Sequence, residues 1–311
     1  MHRIALLIAP CRTNRFGAIK RFRMNMKRSS DMNGLRAGWI LLVFFTITPP
    51  LMVFQWVLLR VAPRQAVRFP HFYHRNLCRL LQGRIHIRGE PAAEGACLIT
   101  ANHCSWLDIV VLSAVRPLSF VAKREVGTWP FFGSLARLQR TIFVDRDRRS
   151  STATFKTVMQ SRLRAGDTLV LFPEGTSTDG NRVLEFKSAL MGAAEATYQG
   201  SAKGTETAVP VQPVTVAYTK MHGLPLGRHE RPVLSWYGDM ELAPHLWAAL
   251  KRGPFDAVVQ FHQPVSLSSL GNRKALAAHC EHEVRSGLVA LLAGRENAVS
   301  DDLDRESPPA D

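Results

Sequence analysis

From residue 84 onward, short apolar runs alternate with segments whose apolar residues recur at helical spacing. Arg84–Arg88 alternates polar and apolar, the period of a half-buried strand. Residues 96–101, 118–122, 141–144, 168–172, 211–218 and 257–261 are apolar runs of strand length. Between them, residues 151–164 set Phe155, Val158, Met159 and Leu163 on one side of a helix. Residues 188–198 and 274–292 also read as helices. The alternation predicts an α/β domain over 83–294, with a largely parallel sheet flanked by helices. In such open sheets, sites form outside the carboxyl ends of strands.

The N-terminal pattern is different. Residues 37–59 contain no charged side chain, enough for the roughly 20 apolar residues that span a bilayer. Pro49-Pro50 falls near the middle, and proline interrupts the helical hydrogen-bond ladder. The segment is therefore expected to form a helical hairpin entering one leaflet, with both ends cytoplasmic; a single kinked transmembrane helix and a buried core helix are the alternatives. Trp39 and Trp56 lie near its ends, and Arg36, Arg60 and Arg64 flank it, as anchors at a lipid interface do. Residues 72–81 read as an amphipathic helix that completes a membrane anchor over 37–82. Residues 1–36 carry nine Lys and Arg against one acid, Asp31, and read as a basic disordered arm for anionic lipid. A targeting segment, or sequence upstream of a start at Met24, Met26 or Met32, fits them as well. The polar tail 295–311 is expected to be disordered.

The formal net charge is +15 and the hydrophobic content 46%. Such a charge calls for an anionic partner. No zinc-finger spacing or RNP-type aromatic signature is present, so nucleic acid is not expected and a lipid surface is. The five cysteines are scattered without a CxxC, which fits a reducing compartment. The His and Cys residues show no metal-ligand spacing, and no metal or cofactor is expected.

The chemistry concentrates at Asn102-His103-Cys104-Ser105-Trp106-Leu107-Asp108, directly after the apolar run 96–101. Five residues rotate an ideal helix by ~500°, so His103 and Asp108 meet only if His103 lies on the loop and Asp108 in the first helical turn. Asp108 then fixes the imidazole tautomer and supports an imidazolium, leaving the other nitrogen to take a proton from a hydroxyl. Cys104 has no second base beside it, and no G-x-S-x-G elbow surrounds Ser105.

These residues resemble the NHx4D block of the glycerolipid acyltransferases. Three more segments match that family in order: Lys123-Arg124-Glu125-Val126 with Trp129-Pro130-Phe131-Phe132-Gly133 and Thr141-Ile142-Phe143-Val144-Asp145-Arg146; Phe172-Pro173-Glu174-Gly175-Thr176; and Val209-Pro210-Val211-Gln212-Pro213-Val214. The resemblance covers about residues 95–220. It implies a membrane-bound O-acyltransferase moving a fatty acyl group from acyl-carrier protein or acyl-CoA, as co-substrate, to a lysolipid hydroxyl. It places the work at the cytoplasmic face of the bacterial inner membrane. It makes His103 the base and Asp108 its orienting partner. It also implies that Glu174, with Gly175 and Thr176, binds the lysolipid head or holds the site, and that Lys123, Arg146 and Arg182 meet anionic groups. Backbone N–H groups near Gly175 are candidates for holding the oxyanion. The aromatic run at 129–132 is placed in an acyl tunnel, against lipid or in the core.

Two positions depart from the pattern. Ser177 stands where many lysophosphatidate enzymes have a basic residue, and Arg140 where glycine is common. The stretch 177–187 is more similar to the bacterial branch acylating lyso-ornithine lipid, an aminolipid without phosphate. At this level lysophosphatidic acid and lyso-ornithine lipid stand side by side as acceptors. Two other classes use the same features: a lipid hydrolase or thioesterase with the same His/Asp pair, and a non-enzymatic basic membrane-binding protein.

Overall fold

The structure is a computed structural model that describes residues 15–93, 95–144, 149–199 and 206–295. Arg146, the first part of the arm (1–14) and the tail from 296 lie outside the described residues. The chain opens with two helices, α1 (Arg15–Val61) and α2 (Pro63–Leu80). Then follow β1 (Arg84–Arg88), β2 (Cys97–Ala101), α3 (Leu107–Val115), β3 (Ser119–Lys123), α4 (Phe132–Leu138), β4 (Ile142–Val144), α5 (Arg149–Arg164) and β5 (Thr168–Leu171). The second half holds β6 (Thr197–Gln199), β7 (Glu206–Ala208), β8 (Val211–Met221), β9 (Leu224–Pro225), α6 (Leu242–Arg252), β10 (Phe255–Phe261), α7 (Leu267–Leu270) and α8 (Arg273–Leu292).

The main sheet runs β1-β10-β8-β2-β5-β3-β4, with β9 paired to β8. Every pair along that path is parallel except β10 with β8. β2 lies in the middle, between β8 and β5. All five of its residues are buried, as expected of a strand covered on both faces. Alternation sorts its side chains: Cys97, Ile99 and Ala101 enter the core beneath α2 and α3, whereas Leu98 enters the core beneath α5 and α8.

Three sequence expectations are corrected. The helix does not break at Pro49-Pro50; α1 runs through both prolines. Proline removes two donors from the ladder, but the helix is held to the body on both sides of the pair. Ala37, Ile40, Thr48 and Gln55 form a buried stripe at helical spacing. Thr48 Oγ1 bonds Tyr73 OH at 2.9 Å, and Gln55 Nε2 donates to Ala66 O at 2.9 Å and Leu138 O at 3.0 Å. The reversal falls instead at Ala62, with Pro63 opening α2 where its missing N–H costs nothing. The expected disordered arm is helical from Arg15, since no proline interrupts α1 before residue 49. Residues 188–198 are not one α-helix: Ser188–Glu195 is a 3-10 helix and Thr197–Gln199 a strand paired with Glu206–Ala208. Gly192 disfavours α-helix at its centre, and Thr197 and Tyr198 favour extended chain.

Arg140 has φ +63°, a conformation that favours glycine. Its guanidinium pairs with Asp167 through bonds of 3.1 and 3.0 Å, which accounts for an arginine at a position suited to glycine.

Candidate active site

β2 ends at Ala101 and α3 begins at Leu107, so the loop between them leaves the carboxyl edge in the centre of the sheet. Asn102 fixes its start. Its side chain donates to Val216 O at 2.9 Å and accepts from Val216 N at 2.8 Å, which continues the β2–β8 pairing by one residue. Asp108 lies in the first turn of α3, where the helix N-terminus favours negative charge. Its Oδ2 accepts from His103 Nδ1 at 2.8 Å, Cys104 N at 2.8 Å and Ser105 N at 2.9 Å. Its Oδ1 accepts from Tyr218 OH at 2.8 Å. This is a fully buried carboxylate with its acceptor sites filled, the condition under which a buried charge is tolerated. The His103 side chain is 21% exposed. With Nδ1 donating to Asp108, Nε2 is the nitrogen able to take a proton.

The imidazole stacks on Phe172, centroids 4.2 Å apart, and Phe172 stacks on Phe120 at 6.2 Å. Phe120 lines an apolar cavity of about 220 Å³ walled mainly by α1, α2, α4 and α6. Trp129 and Phe132 line it too, together with Phe44 and Leu51 of α1. Phe131 packs instead against Phe44 and Phe45. The aromatic run at 129–132 thus divides between the cavity wall and the side of α1 that carries Phe44 and Phe45.

Glu174 is not placed to meet a lysolipid head directly. It is 2% exposed, and its two oxygens accept from His103 N and Leu184 N, each at 2.8 Å. Burial pushes its carboxyl up to about 7, opposed by those N–H donors. The side chain holds the His103 loop against the loop that follows β5. Gly175 has φ +78°, which a glycine adopts without strain, and its N–H donates to Phe172 O. Thr178 N donates to His103 O at 2.9 Å, so the segment carrying Ser177 touches the loop that carries His103. Thr176, Lys123 and Arg182 are exposed. Lys123 ends β3 at the same sheet edge, and Arg182 lies 3.9 Å from Asp179; neither bonds to His103 or Asp108.

Cys104 is buried, and burial together with Asp108 pushes its thiol well above the usual range, which leaves it a poor nucleophile. Ser105 Oγ accepts from Leu107 N at 3.3 Å as a loop residue. The fourth block bonds neither His103 nor Asp108 but leads up to the site, Val214 pairing with Ala101. Gln212, at the beginning of β8, bonds Glu90 O, His262 O and Ala92 N.

The motifs alone did not point to Tyr218, Phe172 as a stacking partner, or Trp236, whose backbone N–H donates to Cys104 O at 2.7 Å. A tyrosine inside an apolar strand is itself a signal, because a buried hydroxyl needs a partner.

Residues 84–217 match the family model described as Acyltransferase. The lyso-ornithine lipid O-acyltransferase of Brucella abortus is 45% identical over 84% of this chain and 97% of its own length. That of Rhizobium meliloti is 38% identical over 84% of this chain and 87% of its own. A 1-acyl-sn-glycerol-3-phosphate acyltransferase of Neisseria gonorrhoeae is 30% identical over 64% and 72%. Among solved structures, the 1-acyl-sn-glycerophosphate acyltransferase PlsC of Thermotoga maritima superposes with a TM-score of 0.60 at 21% identity, over 86% of this chain and 98% of that one. A sheet of this topology, the Asn-His-x4-Asp loop at its central edge and these relatives lead to one conclusion: the chain belongs to the acyltransferase family, among the lysolipid acyltransferases.

Proposed function

We propose that this enzyme transfers a fatty acyl group from a thioester to the hydroxyl of lyso-ornithine lipid, with His103 as general base and Asp108 as its orienting partner. The observation that carries the mechanism is the 2.8 Å bond from His103 Nδ1 to a buried, fully hydrogen-bonded Asp108. Nε2 takes the proton of the acceptor hydroxyl as its oxygen attacks the thioester carbonyl. The tetrahedral intermediate collapses by breaking the C–S bond, and the imidazolium returns its proton to the leaving thiolate. A positioned histidine contributes about 10²- to 10⁴-fold to such a step. The cavity beside the Phe172–Phe120 stack offers apolar room for the acyl chain.

The acceptor assignment draws on two supports. The relatives from Brucella abortus and Rhizobium meliloti are more similar along most of this chain than the Neisseria gonorrhoeae enzyme. Ser177, rather than a basic residue, sits in the loop bonded to His103 O through Thr178, and a head without phosphate needs no cation there. The donor is an acyl-carrier protein or coenzyme A thioester. The +15 charge favours encounter with an acidic carrier.

The reading includes attachment to one leaflet at the cytoplasmic face of the inner membrane. Met32–Val61 is long and apolar enough to cross a bilayer. Its inner stripe nevertheless packs on the catalytic body from Ala37 to Gln55, while Trp39, Leu42, Phe45, Val53 and Trp56 face outward. A helix held lengthwise against the body enters lipid sideways. The test is acyl transfer in membranes containing the protein, with lyso-ornithine lipid and lysophosphatidic acid offered side by side. Preferred acylation of lyso-ornithine lipid, lost in His103→Ala, is expected. Preference for lysophosphatidic acid refutes the acceptor, and a fully active His103→Ala refutes the mechanism.

A further inference from the structure

We propose that Tyr218 is a positioning residue for the reaction: its buried hydroxyl clamps the second oxygen of Asp108 and thereby holds the first on His103. The inference rests on His103 being the base. Asp108 Oδ2 has three N–H donors, but they share one oxygen and come from the loop that Asp108 itself organises. Oδ1 is held by Tyr218 OH at 2.8 Å; the Cys104 thiol, at 3.7 Å, is its other neighbour. Tyr218 reaches it from β8, a strand of the rigid sheet, with its ring packed edge-on to Phe255 at 5.8 Å. A carboxylate anchored through both oxygens cannot turn about its Cβ–Cγ bond. Released at Oδ1, it is held through Oδ2 alone and can rock, so that Oδ2 keeps the imidazole less tightly in one orientation. Tyr218 lies just beyond the matched family domain, is 4% exposed, and has no surface to offer either substrate.

The bond also sets basicity. A donor on Oδ1 draws charge from the carboxylate and lowers its support for the imidazolium. The titratable groups around the pair are Glu174, Cys104 and, beside Tyr218, Cys78. Burial raises both thiols, Cys78 to about 11, so they remain neutral. Burial and Asp108 hold the Tyr218 phenol well above its ordinary range, so it stays a donor wherever His103 works.

The experiment compares wild type, Tyr218→Phe, Asp108→Asn and the double variant as full-length protein in membranes. Tyr218→Phe is expected to lower kcat roughly 10-fold, leave KM unchanged and move the acid limb of the rate profile to higher pH. In the Asp108→Asn background the same change is expected to cost little, because the oxygen it serves is already altered. Replacing the residue with 3-fluorotyrosine strengthens the donor at nearly constant size and is expected to move the limb to lower pH. This arm serves even if the phenylalanine variant does not fold. A wild-type kcat and limb in Tyr218→Phe, full additivity with Asp108→Asn, or an unmoved limb with fluorotyrosine overturns the proposal. An active His103→Ala would instead remove the reading on which it rests.

Discussion

At the scale of single residues, the site is organised around two buried carboxylates with different tasks. Asp108 supports His103 directly, while Glu174 is a strut between two loops. Their environments separate them, and Glu174 offers a check by pH. Its carboxyl rises from 4.5 to about 7 on folding. Between those values the folded chain holds a proton that the unfolded chain has released, so stability falls as pH rises through that window. The thermal midpoint of wild type is therefore expected to decline relative to Glu174→Gln as pH rises from about 4.5 to 7. Melting curves that stay parallel across the window would contradict it. Glu174→Gln also turns an amide toward one of two backbone N–H donors, so activity is expected to fall with it even at neutral pH.

At the scale of elements, the loop between β2 and α3 is stapled to β8 through Asn102. Asn102→Ala leaves both polar groups of Val216 without their side-chain partner. The cost is about 1–3 kcal/mol for each group left unsatisfied, a drop of roughly 2–4 °C per kcal/mol for a domain of this size. An unchanged midpoint would mean that the loop is held elsewhere. The inner strands were legible because they are apolar runs with charged or turn residues on either side, and β2, β5 and β8 follow their runs closely; the short polar β6 and β7 carry no such run. The His103–Asp108 contact was legible too, because a strand-to-helix turn is one of the few ways those two positions meet. Other features depended on tertiary structure. Contacts at Thr48 and Gln55 decide whether Pro49-Pro50 breaks α1, and Tyr218 lies 110 residues from its partner with no local pattern to join them.

At the scale of the molecule, the helices read from sequence as an anchor are also part of the catalytic body. Ile40 and Ala37 of α1, with Cys78 and Leu81 at the end of α2, belong to the same buried cluster as Ile99 and Val110. A chain beginning at residue 83 is therefore expected to lose acyl transfer and to aggregate, even when tethered to lipid by an unrelated helix. Gel filtration and the transfer assay together check this, and a monodisperse, fully active truncation would contradict it.

The cavity near His103 leads to a final consequence. Its walls include Phe44, Thr48 and Leu51 of α1 and Tyr73 and Leu77 of α2. On the proposed reading, in which α1 enters lipid and the cavity takes the acyl chain, the part of the chain in contact with the bilayer is also part of the wall that measures the acyl chain. On that reading, a change in lipid packing that shifts α1 reshapes the cavity, which would make membrane fluidity an input to chain selection without a separate regulatory site.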